Sequence, residues 1–277
     1  MKILRSKIKI GKKIKNIYYR GIWDENIFKR SIAVVGSRSM TRYGKEAVDK
    51  FISAFVAEGV ATISGFMYGV DTEVHQKTVD YGGRTVAVFG CGLDVIYPPE
   101  NEKLYEQILE TRGLVISEYE ADAKPHLWKF PQRNKIVAGL AGLGVLVIEA
   151  GEKSGSLITA GLAKKMGKEV YAVPGPITSR ISVGCNNLIK SGEAIMATSA
   201  ADILKIKPTV HSLPFTVHGL NSQEAKIYKV LQLEPMGIDE LFLKIGCNVV
   251  EIGSVLSVMS LRGIVTESGG KYYLNRS

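Results

Sequence analysis

Lys153, Ser154, Gly155 and Ser156 follow an apolar run, Val145 to Ala150, and lead into a segment of helical character over 156–166. A strand that ends in a Lys/Ser/Gly loop and enters a helix aims backbone N–H groups, two hydroxyls and one cation at a point where the helix dipole favours negative charge. That is phosphate-binding chemistry. A second loop of this kind, Gly36-Ser37-Arg38-Ser39, follows the β-branched run over 31–36 and precedes a helix that starts near Thr41. Two such loops suit successive phosphates of a nucleic-acid backbone as well as they suit a mononucleotide. Gly/Ser loops also end ordinary strands of parallel sheets, so a plain turn is the competing role for each. Arg38 and Lys153 favour anion binding, because side chains after strand ends project into the crevice of an open sheet.

The elements that must position these loops alternate along the chain. Strands are expected at 31–36, 59–63, 84–89, 113–117, 143–149 and 168–173, with helices from Thr41, over 69–81 and 100–111, from about Asn134, and over 156–166. Such alternation implies an α/β fold, an extended Rossmann-like, mostly parallel sheet with helices on both faces. No G-x-G-x-x-G fingerprint follows the first strand and no acidic residue lies where a ribose would be held, so a dinucleotide is not expected. No cofactor or metal is expected either. After a linker at 208–216 the pattern changes to three short helices, starting near Asn221, Gly237 and Asn248, and a hairpin around Ser268-Gly269-Gly270. This predicts a small winged-helix domain over 217–277, whose third helix presents Glu251, Ser254, Ser257 and Ser260 rather than cations. A spacer or protein-contact role suits it better than reading DNA.

Charge is unevenly placed in these 277 residues. Ten Lys and Arg stand against two Asp and Glu in residues 1–30, whereas 31–207 and 217–277 are close to neutral. The excess predicts a basic N-terminal arm with an entry strand, suited to a polyanion. A solvated charge run is the bland alternative. No apolar stretch is long enough to span a membrane, and three scattered cysteines, Cys91, Cys185 and Cys247, fit a reducing cytoplasm.

Taken together, residues 32–44 (IAVVGSRSMTRYG), 64–75 (SGFMYGVDTEVH), 84–101 (RTVAVFGCGLDVIYPPEN), 130–139 (FPQRNKIVAG), 149–160 (EAGEKSGSLITA) and 184–192 (GCNNLIKSG) resemble the DNA-processing protein A family, also called DprA or Smf, over about residues 14–205. The resemblance implies an extended Rossmann-fold protein that binds single-stranded DNA without sequence preference, helps load RecA during natural transformation, and works as a homodimer. It implies that Gly36, Ser37 and Arg38 contact phosphate, with Ser64, Gly65, Arg133, Asn134 and Lys153, Ser154, Gly155 and Ser156 completing the pocket. Gln132 departs from the pattern, standing where the family commonly has a basic residue.

Other polar residues carry weaker signals. Asp71 and His75, four apart on a helix, could form an acid/base pair or a metal half-site, but spacing supplies no third ligand and structural hydrogen bonding is the expectation. Glu118 and Glu149, at strand ends, are placed to position the basic residues. Phe130 and Tyr68 are candidates for base stacking, with core packing the commoner fate of Phe130. The competing function class is a nucleotide phosphoribohydrolase-like enzyme, whose PGGxGT loop is replaced here by KSGSLITA. A regulator acting through the C-terminal domain is a third class, which the neutral third helix disfavours.

Overall fold

The computed structural model describes residues 2–11, 13–205 and 221–275. The linker expected at 208–216 lies outside them. Two compact units divide at Thr209 and Val210.

In the first unit the described residues form a nine-stranded sheet in the order β1-β2-β6-β5-β4-β3-β7-β8-β9. Its strands are β1 (Leu4–Ile10), β2 (Lys13–Gly21), β3 (Ser31–Val35), β4 (Ala61–Ser64), β5 (Thr85–Val88), β6 (Leu114–Ser117), β7 (Val145–Val147), β8 (Val170–Ala172) and β9 (Ile195–Met196). From β6 across to β9 all neighbours are parallel, while β1 and β2 join antiparallel. The helices are α1 (Asn26–Lys29), α2 (Arg42–Ala57), α3 (Val70–Asp80), α4 (Glu102–Glu110), α5 (Lys129–Leu140), α6 (Gly155–Lys165), α7 (Val183–Lys190) and α8 (Ala200–Leu204). Strand residues alternate between two apolar layers. Val35, Val88 and Val147 pack with Ile136 of α5 and Ala160 of α6, whereas Ile32, Val34 and Leu146 pack with Phe51 and Phe55 of α2 and Val74 of α3. The parallel strands are covered on both faces, hence their unbroken apolar runs.

Where the sequence reading expects a basic arm, the structure has the β1–β2 hairpin. Burial alternates along the second half of β1, so that Ile8 and Ile10 are buried in the core with Ile17 of β2 while Arg5, Lys7 and Lys9 face solvent. The lysines dominate the charge count and mask this period of two, the mark of a half-buried strand. Ile10 lies against Gly139 of α5, where a Cβ would stand 2.4 Å from the Ile10 side chain if Gly139 carried one, so α5 and the hairpin meet without a spacer. Deleting residues 1–13 is therefore expected to destabilise the unit by roughly 3–6 kcal/mol, the transfer of two buried isoleucines, seen as a lowered melting temperature. An unchanged melting temperature would show the hairpin to be dispensable. The helix expected from Asn134 begins five residues earlier, at Lys129. Pro131 sits in its first turn, where a missing N–H costs nothing.

The second unit holds α9 (Ser222–Leu231), α10 (Ile238–Ile245), α11 (Val249–Leu261) and an antiparallel hairpin of β10 (Val265–Ser268) and β11 (Lys271–Leu274). Asn221 accepts from Glu224 N–H at 2.9 Å while the Glu224 carboxylate accepts from Asn221 N–H at 2.8 Å, the reciprocal cap that starts α9. Leu241, Leu256 and Met259 form its centre. The outer face of α11 carries exposed Glu251, Ser254, Ser257 and Ser260. Among the described residues no single helix is long and apolar enough to cross a membrane.

Candidate nucleic-acid interface

From β3 the chain builds the sheet in one direction through β4, β5 and β6, and returns to add β7, β8 and β9 on the other side. The reversal leaves a crevice beyond the carboxyl ends of β3 and β7, where open α/β sheets bind their ligands. The two phosphate-type loops leave from these adjacent strand ends, so 115 residues of sequence separation become one site. The crevice has a volume of about 570 Å³ and is lined by Gly36, Ser37, Arg38, Gly65, Asn134, Lys153, Ser154, Gly155 and Ser156 among others.

The β3 loop is fixed from below by α3. A Cβ on Gly36 would lie 2.6 Å from the Val70 side chain, and Val70 N–H donates to the Ser37 carbonyl at 3.1 Å. Gly69, at φ +73°, takes a backbone conformation that favours glycine and passes against the carbonyls of Ser37 and Arg38. Arg38 is exposed, with its guanidinium carbon 5.6 Å from the centroid of Phe130. Phe130 is buried and stacks on Tyr97, so it is a seat for the arginine rather than a free ring. Exposed Tyr68 also lines the crevice, its hydroxyl donating to Glu100 at 3.0 Å.

On the β7 side Ser154 caps α6, accepting from Ser156 N–H at 3.4 Å, and the two serine oxygens lie 2.8 Å apart. Lys153 is exposed beside them. Asn134 reaches across from α5, its amide 3.5 Å from the Gly155 carbonyl. The N-terminus of α2, by contrast, is already taken. Glu149, buried at the end of β7, accepts from Thr41 N–H at 2.9 Å and from the Thr41 hydroxyl at 2.5 Å. A carboxylate of the chain itself thus occupies that helix dipole and ties the two loops together, while the start of α6 lines the crevice.

Two of the expected phosphate contacts are buried and bonded within the fold, although Arg133 also lines the crevice. Ser64 is fully buried and donates to the Val34 carbonyl at 2.7 Å, stitching β4 to β3 beneath the crevice. Arg133 is only 3% exposed, and its guanidinium donates to the carbonyls of Gly65 and Val88 at the ends of β4 and β5. Burial works against its charge while the nearby Asp71 carboxylate supports it. Asp71 accepts from Met67 N–H at 3.3 Å, and burial raises its carboxyl above the ordinary range against the opposing charges of Arg133 and Arg38. His75 is fully buried, its Nδ1 2.7 Å from the Thr85 hydroxyl, and desolvation lowers its pKa to about 3. The imidazole is therefore neutral. Among the described residues no group of three His, Cys, Asp or Glu is placed to hold a metal.

The sequence reading passes over one cluster altogether. Trp128, just before α5, is exposed, stacks on exposed His126 at 6.2 Å with the rings 10° apart, and meets the edge of Tyr119 at 6.4 Å. A lone Trp beside a His carries no periodic signal, and Tyr119 is nine residues away. Glu118 pairs with Lys15 of the hairpin rather than with a crevice cation.

Comparison with known proteins adds the family. Residues 6–207 match the model of DNA recombination-mediator protein A. DNA processing protein DprA of Streptococcus pneumoniae is 42% identical over 188 residues, 68% of this chain and 65% of that protein, so this chain spans about two thirds of that relative's length. Protein Smf of a Synechocystis species is 31% identical over 94% of this chain and 74% of its own. The X-ray structure of the S. pneumoniae protein aligns with a TM-score of 0.62 at 40% identity, covering 69% of this chain and 65% of that one. DNA processing protein A of Helicobacter pylori, whose structure is described by its single-stranded DNA binding mode, aligns with a TM-score of 0.64 at 28% identity, covering 73% and 94%.

Proposed function

The chain belongs to the DNA recombination-mediator protein A family, and from that premise we propose that it is a single-stranded DNA-binding recombination mediator without sequence preference, one that carries out no reaction of its own. The observation that carries this reading is the pair of exposed cations, Arg38 and Lys153, on loops that leave adjacent strands at the switch point. Around them stand backbone amides and hydroxyls, groups that hold phosphates and carry no base sequence. We assign direct phosphate contact to the loop residues 36–38 and 153–156 and to Asn134, and a supporting role to Ser64, Gly65 and Arg133. Loading of RecA on incoming strands in natural transformation, a homodimer and a cytoplasmic location follow from the family alone and belong to the same proposal.

The test is a binding titration of single- and double-stranded oligonucleotides at several salt concentrations. Single strands should bind more tightly, and log affinity should fall with log salt by about 0.7 per phosphate neutralised. Equal affinity for duplex, or indifference to salt, would sink the reading. The phosphoribohydrolase alternative needs a carboxylate poised beside a glycosidic bond. Asp71 is the one carboxylate among the described lining residues, and it is engaged with Met67 N–H. Release of free base from nucleoside 5′-monophosphates, lost on replacing Arg38 or Lys153, would establish the enzyme instead.

A further inference from the structure

We propose that the Trp128–His126 ring pair is a base-stacking platform, over which the bound single strand passes from the crevice towards the lysine-bearing β1–β2 hairpin. The inference rests on the single-strand reading above and assigns it a second surface.

Four observations carry it. First, the platform is continuous with the crevice: Leu127, 84% exposed, is a lining residue, and Trp128 follows it directly. Second, the rings have aromatic neighbours yet are left wet. Trp128 is 57% exposed although His126 covers part of it and Tyr119 braces its edge. Aromatic faces in this condition stack on bases without regard to sequence. Third, one cation is fixed beside the rings. Lys129 Nζ lies 4.7 Å from the Tyr119 centroid and 5.7 Å from that of Trp128, fixed by donation to the Lys124 carbonyl at 2.7 Å. Of the acids in the same segment, Glu118 pairs with Lys15 and Glu120 accepts from the Tyr18 hydroxyl, while Asp122 is exposed.

The fourth observation is the register of the hairpin. Tyr18 of β2 pairs with Ser117, the last residue of β6, and the strands are antiparallel. Residues 15–18 therefore stand beside the carboxyl end of β6, where Lys15 meets Glu118 and the Tyr18 hydroxyl donates to Glu120, while the tip beyond them lies against Gly139 of α5. The hairpin carries exposed Lys7, Lys9 and Lys13. Between β2 and β3 lie four strand spacings, roughly 19 Å, and the segment 118–128 fills that interval. Edge-strand lysines also protect against strand pairing, a role that gives no reason for an exposed Trp next to a residue that lines the crevice.

The experiment uses the full chain. Trp23 is replaced by Phe, so that fluorescence reports Trp128 alone, and the protein is titrated with an oligothymidylate and with an abasic oligomer of equal length. Binding of the thymidylate should quench the emission. Trp128→Ala should weaken thymidylate binding about 5- to 140-fold, the worth of one stacked base, with affinity for the abasic oligomer and the salt slope unchanged, and Trp128→Phe should restore most of the loss. Lys7→Glu with Lys9→Glu should do the converse, flattening the slope for both ligands. If emission is not quenched, or if Trp128→Ala leaves thymidylate binding intact or weakens both ligands equally, the platform is overturned, and a protein partner becomes the better occupant of that surface. Failure of the underlying reading looks different: the unsubstituted protein would bind neither oligomer, or would bind both with Arg38 and Lys153 removed.

Discussion

Arg38→Ala is expected to weaken binding of single-stranded DNA about 10- to 150-fold, and Lys153→Ala by a similar factor, with little change in melting temperature. A charge-assisted hydrogen bond is worth about 1.5–3 kcal/mol, and each 1.4 kcal/mol is a factor of ten in affinity. Both side chains are exposed, so their truncation leaves no buried group unpaired. The stability Arg38 gains from its place over Phe130 is on the order of 0.5–1 kcal/mol, a few degrees at most. Arg38→Lys separates charge from geometry. A guanidinium meets two phosphate oxygens at once, whereas an ammonium is a point charge, so the Lys variant should keep the salt slope and lose part of the affinity. Because the two residues stand on different loops, the double variant should lose roughly the product of the single effects. Binding by fluorescence anisotropy with parallel thermal melts decides the matter. Unaltered affinity in both single variants would remove the crevice from the binding surface.

The sequence makes the two loops legible because each combines a strand end, a glycine and a cation within four residues. It also makes the parallel strands legible, since a strand buried on both faces is an unbroken apolar run, as in Ser31–Val35 and Val145–Val147. Adjacency of those strands is another matter. That β3 and β7 are neighbours is a property of sheet order, which no local pattern states, and the choice of a switch point between them follows from that order alone. The hairpin is hidden for a different reason. Lys9 lies between Ile8 and Ile10, and a count of charges averages away the alternation that buries both isoleucines. Glu149 is readable as a residue near the cations, but its bond to Thr41 spans 108 positions and removes a helix end from the list of phosphate sites. Trp128 is invisible as a site, because exposure is decided by what the rest of the chain fails to cover.

Arg133 is the case in which residue type misleads most, and its substitution carries the largest expected loss of stability. Arginine in a glycine-rich α/β crevice suggests a phosphate contact, since arginine is almost never fully buried without a partner. Here the partners are internal: the carbonyls of Gly65 and Val88, the side chain of Asn134 at 3.2 Å, and the field of Asp71. Truncating it leaves the buried carbonyls of Gly65 and Val88 without their donor and takes the opposing charge from buried Asp71, at about 3–5 kcal/mol together. Arg133→Ala should therefore lower the melting temperature by roughly 6–20 °C, at about 2–4 °C per kcal/mol for a unit of this size. Binding should weaken only through the loosened ends of β4 and β5. Arg133→Met combined with Asp71→Asn removes both charges together, and should recover part of the stability that Arg133→Met alone loses, because no unpaired carboxylate remains. Recovery in the double variant marks Arg133 as the brace under the crevice floor. If Arg133→Ala instead melts like the unsubstituted protein and loses DNA affinity as Arg38→Ala does, the guanidinium must turn outward to a phosphate when the strand binds. The brace would then be a resting arrangement that DNA displaces.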